Sequence, residues 1–170
     1  MKIRKLCLIL VMAQMALLCS CKPTYKSPLE SPSVTKAPED APYNFDFEQM
    51  EEDVGTNIKS ANMYGFIKDF ILTGDNDTQK ITVNFVIEEN VTESAIELLL
   101  TDTMRFIVDE AQMQDFRIDE YTDEDFGNLS NIYGIDLIVK CNNEVITEYN
   151  IAKGESVPFD PTLTIENIIR

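Results

Sequence analysis

The sequence predicts a small α+β domain: an antiparallel β-sheet in the order ββαβββ, with one main helix packed on a face. Three observations lead there. One long segment, Thr92 to Met113, repeats its apolar residues at helical spacing. Shorter segments on both sides alternate apolar and polar residues, and turn-forming residues separate them. The domain is expected to span residues 43–170, behind a region of different composition.

From Tyr43 to Ser60 the pattern specifies no regular element, although Phe45, Phe47 and Met50 imply docking. Met63 to Leu72 fits two periods. Met63, Phe66, Ile67, Phe70 and Ile71 have helical spacing. Equally, Phe66, Phe70 and Leu72 fall on one face of a strand, with Thr73-Gly74-Asp75-Asn76-Asp77 as a turn. Gly65 and the β-rich composition favour the hairpin. Lys80 to Glu88 is expected as a half-buried strand, with Ile81, Val83, Phe85 and Ile87 on one face.

The helix opens at Asn90-Val91-Thr92-Glu93, where a polar residue followed three later by Glu resembles a capping box. At 100° per residue, Ala95, Leu99, Phe106 and Met113 align, with Ile96, Leu100, Ile107 and Ala111 beside them. Glu97, Thr101, Asp102, Arg105, Asp109 and Gln112 occupy a narrow opposite strip. An apolar face this wide belongs to a helix covered by other elements.

Phe116 to Tyr121 reads as a strand and Thr122 to Asn131 as a polar loop. Ile132 to Cys141 and Val145 to Ile151 read as a hairpin around Asn142-Asn143. A three-residue loop through Glu144 is expected. It pairs Cys141 with Val145, Val139 with Thr147, Leu137 with Tyr149 and Ile135 with Ile151, whereas a two-residue turn sets Leu137 against Glu148. The ending, with Pro158, Asp160-Pro161 and Leu163 to Ile169, adds a strand or a short helix.

The 170 residues carry 14 Lys+Arg against 30 Asp+Glu, a net charge of −16, with no His and no Trp. Such a field argues against nucleic acid or a bare anionic bilayer as a partner. Without His, no Ser-His-Asp triad, Cys-His pair or zinc-His site can be built.

The chain begins with Met1-Lys2-Ile3-Arg4-Lys5 and continues as an apolar run from Leu6 to Leu18, broken only by Gln14. That run is short for a permanent crossing of a ~30 Å hydrocarbon core and suits a cleaved signal. It ends in Leu18-Cys19-Ser20-Cys21, which resembles the cleavage box of bacterial lipoproteins. Leu18, Ser20 and Cys21 match the box; Cys19 departs from the small or β-branched residue usual at its position. The resemblance covers only residues 1–21. It implies that residues 1–20 are removed and that Cys21 carries a diacylglyceryl thioether and an acylated amine. Each buried CH₂ contributes about 0.8 kcal/mol, so two or more chains hold a protein stably.

Residues 21–42 then supply the lipidated Cys and a tether. Five of the seven prolines lie here among Ser, Thr and Lys, and 21 residues reach about 65 Å as polyproline II. Signal and tether each hold three basic residues, and the tether holds three acids. The domain keeps 8 basic and 27 acidic residues, −19 over 128 positions. Anionic head groups repel it, so the tether is expected to hold it away from the membrane. The implied location is extracytoplasmic. The long tether favours the outer leaflet of a cytoplasmic membrane over an outer membrane. Cys141 is the one Cys left in the domain, where it reads as a small apolar residue.

Chemistry is sparse. Closely spaced acids could offer calcium its six to eight oxygen ligands. The candidates are Asp75 and Asp77, or Asp123 and Asp125 with Asn128. Neither set forms an EF-hand loop, since Lys80 stands where its glycine belongs. Glu110 projects into the apolar face of the helix. It is expected in the last turns, where its carboxylate reaches water. Tyr43, Tyr64, Tyr121, Tyr133 and Tyr149 are the available sugar-stacking rings. No catalytic residue and no other cofactor are indicated. The expected function is a membrane-anchored, non-catalytic binding module for a protein or envelope polymer. The alternative is a small carboxylate-dependent hydrolase or calcium-assisted enzyme.

Overall fold

A computed structural model of the protein describes residues 38 and 40–169. The signal, Cys21 and most of the tether lie outside the described residues. The first element is a helix, α1, Phe47–Ser60. Asp46 caps it by accepting a hydrogen bond from the Gln49 N–H at 3.1 Å. Met50, Val54 and Ile58, each four residues apart, are buried along one stripe. The pattern from Tyr43 to Ser60 does not announce this helix. Its apolar stripe is one residue wide, and Glu48, Glu51, Glu52 and Asp53 surround it.

Strand β1, Ile67–Asp75, pairs antiparallel with β2, Lys80–Ile87, so Met63 to Leu72 leads into a strand and not a helix. The long helix α2 spans Glu93–Gln114, and the Thr92 side chain accepts from Ala95 N–H. A short α3, Leu129–Ile132, precedes β3, Gly134–Cys141, and β4, Glu144–Ile151. A single turn, α4, Ile165–Ile168, closes the described chain.

The sheet order is β1-β2-β3-β4, and β2 lies parallel to β3, with Ile81 beside Ile135 and Phe85 beside Val139. The α+β class therefore stands, but the sheet is mixed, not antiparallel, and the element order is αββααββα. The expected strand at Phe116 to Tyr121 is absent: that stretch is turn and irregular chain. The returning α2 places the start of β3 at the end of the sheet where β2 starts, and a helical crossover of this kind makes neighbours parallel. The local alternation is real, since Ile118 is buried and Phe116 exposed. The backbone of the segment is held by Asn128 instead of by a strand. Its Nδ2 donates to Arg117 O and its Oδ1 accepts from Asp119 N, both at 3.0 Å.

The β3–β4 hairpin keeps three of the four expected pairs: Ile135 with Ile151, Leu137 with Tyr149, and Val139 with Thr147. The fourth changes. Asn142 and Asn143, with φ of 50° and 67°, make a two-residue turn. A bulge between Val139 and Lys140 then absorbs the extra residue, pairing Cys141 with Glu144 and Lys140 with Val145.

One sheet face, carrying Leu72, Val83, Phe85, Leu137 and Val139, is buried beneath the helices. Gly74 is required by this packing, because a Cβ there would lie 2.2 Å from the Phe47 ring. The alternate residues form an uncovered face, where Ile71 is 44% and Ile146 47% exposed. The β1–β2 turn is locked by Asn76. Its Oδ1 accepts from the buried Tyr133 hydroxyl at 2.7 Å and from Phe45 N–H at 2.9 Å, while its Nδ2 donates to Phe45 O and Asn44 Oδ1. At the tether's entry, Arg117 donates to Pro38 O and Ala41 O and lies 4.1 Å above the Tyr43 ring.

Candidate functional site

The calcium candidates lie at two surface turns. Asp75 sits in the β1–β2 turn, where its Oδ1 accepts from Asp77 N–H and Thr78 N–H at 2.8 and 2.9 Å. Those bonds hold its carboxyl below the usual carboxylate range. Asp125 Oδ1 accepts from Gly127 N–H, and both ends of the Asn128 amide are engaged by Asp119 and Arg117. Among the described residues, no group of three or more His, Cys, Asp or Glu is arranged to hold a metal ion. The tyrosines are similarly committed. Tyr64 and Tyr133 are buried, Tyr149 packs edge-on against Phe159, and Tyr43 lies under Arg117. Cys141 is half-buried and free.

Glu110 is the acid whose environment departs most from expectation. It is 4% exposed, not projecting to water, because α1 covers this face of α2. Across the helix interface it lies close to Asp53 of α1. Burial raises its pKa, and the charges of Asp53 and Asp109 raise it further. Asp109 is half-buried and is itself raised, by burial and then by Glu120. No cation faces the pair: the ion pairs among the described residues are Lys80–Asp136, Arg105–Asp102 and Arg117–Asp115. Glu110 therefore keeps its proton to higher pH than an exposed glutamate does.

On another face of α2, Asp102 accepts from the Tyr64 hydroxyl and pairs with Arg105. Arg105 Nη2 also donates to Pro161 O and Leu163 O at 2.7 and 2.8 Å, fastening the C-terminal segment to the helix. Burial, followed by the Asp102 bond, keeps the Tyr64 phenol protonated far above the ordinary tyrosine range. The cluster is a structural clasp, since each polar atom already points at the protein.

A half-open groove of about 390 Å³ runs between the C-terminal half of α1 and the start of β1. Its floor is Gly55 and the half-buried Phe70. The two pack so closely that a Cβ on Gly55 would lie 3.3 Å from the ring. Lys59 and Lys68 line it. Lys68 is the extra residue of a bulge, since Ile67 faces Ile87 while Asp69 already faces Val86. Bulges on edge strands commonly re-aim a side chain in this way. Past Gly55 and Phe70 the groove meets a more open, acidic depression lined by Glu48, Glu51 and Glu52.

Sequence reasoning missed Asp53, Lys59 and Lys68, because all three acquire their roles through α1 or through the bulge. The available signal was Gly55 inside an otherwise four-spaced apolar stripe, an expensive residue mid-helix unless something packs against it. The lipidation residue Cys21 lies outside the described residues. Comparison with protein-family models, with curated proteins and with solved structures gives no match for this chain.

Proposed function

We propose that the chain is a bacterial lipoprotein, anchored through acylated Cys21 on the extracytoplasmic side of a membrane. Its domain acts as a non-catalytic interaction module. The observation that carries the binding role is the uncovered sheet face. Ile71, Val86, Ile138 and Ile146 stand there among Asp136, Lys140 and Glu148, and none of the described helices covers them. Branched apolar side chains ringed by both charges suit a protein surface better than a sugar polymer, which favours aromatic platforms.

The test is crosslinking in cells followed by mass spectrometry, with the same signal, Cys21 and tether fused to an unrelated domain as control. Specific enrichment of one protein, lost in Ile71→Asp with Ile146→Asp, supports the reading. Enrichment no better than the control across several crosslinker lengths sinks it, and retention on isolated cell wall alone points to an envelope polymer.

A second reading is favoured by the Asp53–Glu110 pair: a carboxylate-dependent hydrolase, with Glu110 as the protonated acid. It requires an opening of α1, because Glu110 is sealed at the helix interface. Turnover of ester or glycoside substrates that disappears in Glu110→Gln while the fold persists would establish it.

A further inference from the structure

We propose that the groove between α1 and β1 is a binding site for a small organic acid, a carboxylate attached to an apolar or aromatic body. The inference goes beyond the docking role of the open sheet face and uses a different part of the molecule.

Charge is the first reason. In a domain of −19, the cations are scarce and most are already engaged. Lys80, Arg105 and Arg117 are in ion pairs, and Lys153 donates to Gln79 Oε1. Among the described residues, Lys59 and Lys68 have no carboxylate within ion-pair distance; both line this groove, and Lys59 also borders the depression that holds Glu48, Glu51 and Glu52. They come from different elements, the last turn of α1 and the bulge in β1. Asp69 also borders the groove, but its Oδ1 accepts from Phe70 N–H at 3.0 Å. The groove's own lining therefore holds two lysines against one already engaged carboxylate, a balance opposite in sign to the domain, with Glu48, Glu51 and Glu52 kept to the adjoining depression.

Shape is the second reason. The Phe70 ring and the bare backbone of Gly55 offer a flat apolar floor between the lysines, and the volume is at the small end of ligand pockets. A carboxylate placed between Lys59 and Lys68 would leave its apolar body over Phe70. An extended peptide is disfavoured, because it would need the outward N–H groups of the β1 edge as a ladder. Two of them are taken, Phe70 N–H by Asp69 and Leu72 N–H by Glu51 at 3.2 Å.

The probe is benzoate, titrated into the ¹⁵N-labelled full chain at low ionic strength, with benzylamine and inorganic phosphate as comparison ligands. Saturable amide shifts at Gly55, Lys59, Lys68 and Phe70 are expected with benzoate at millimolar concentration, as befits a fragment. The Lys59→Gln, Lys68→Gln double variant should weaken binding at least tenfold. Lys153→Gln, which removes a lysine outside the groove, should leave it unchanged. Both lysines are exposed, so the amide spectrum of the double variant verifies its fold. Benzoate shifts that do not saturate, that survive the double substitution, or that benzylamine reproduces would overturn the proposal. Phosphate binding as tightly as benzoate would overturn the apolar half of it. None of these outcomes touches the crosslinking result, so the two readings fail separately.

Discussion

Replacing Glu110 by Gln should make the protein more stable at neutral pH and flatten its dependence on pH. Glu110 is buried to 4% exposure and faces Asp53 from α1 and Asp109 from its own helix, and among the described residues no ion pair involves it. Its folded pKa is raised, so the folded chain keeps a proton that the unfolded chain releases above about pH 4.3. Stability contributed by protonated Glu110 is complete below that pH. It is lost as pH rises through the folded pKa. Each unit of elevation corresponds to about 1.36 kcal/mol. Gln has the shape of protonated Glu and stays neutral at every pH, so it keeps the packing and leaves no charge to bury. The expected gain is on the order of 1–3 kcal/mol at pH 7.5 and close to zero at pH 4. Urea unfolding at intervals from pH 4 to 8 reads this directly. The difference between wild type and variant is the quantity to follow, because general repulsion in so acidic a domain also lowers wild-type stability as pH rises. Parallel curves, with a constant offset at every pH, would refute the account of a proton retained on buried Glu110.

Four further outcomes follow from the packing. Asn76→Ala should cost about 2–4 kcal/mol, since it removes partners from Tyr133, Phe45 and Asn44 together; urea denaturation measures it. Tyr64→Phe should cost about 1–2 kcal/mol, and ultraviolet titration should find one tyrosine fewer resisting ionisation at high pH than in the wild type. Gly74→Ala forces Phe47 to move and should cost about 1–3 kcal/mol. Gly65→Ala meets nothing within 4 Å and should change the melting temperature far less. Arg117→Ala frees Pro38 and Ala41, so limited trypsin digestion should cut after Lys36 sooner while the melting temperature falls only modestly.

The elements legible in the sequence are those whose pattern is wide and self-contained. Thr92 to Met113 has a broad apolar face, and Ile81, Val83, Phe85 and Ile87 alternate without interruption. Ile135, Leu137 and Val139 with Tyr149 and Ile151 fix a register on their own. Strand direction is a different matter. A period of two says which face a residue takes and nothing about whether its neighbour runs parallel, so Phe116 to Ile118 could pass for the strand that an antiparallel sheet required. The misreading of Glu110 has a single origin. Its position on α2 predicts burial only when something covers that face, and the cover is α1, whose three apolar residues are submerged among acids. The groove was invisible for the same reason, and Lys68 needed a bulge that no local pattern announces.

The parallel seam between β2 and β3 divides the molecule by the order in which it can be assembled. β1–β2 and β3–β4 are each closed by a short turn and can pair locally. The ladder joining them brings Ile81 to Ile135 only after α2 and the following loop have been threaded between. Closing that long loop carries an entropy cost that the hairpins avoid. Folding should therefore end with the docking of two preformed hairpins, and unfolding under stress should begin by parting them. In pulse-labelled hydrogen exchange, the amides bridging β2 and β3 should gain protection last; protection arriving there before the hairpins would reverse this order.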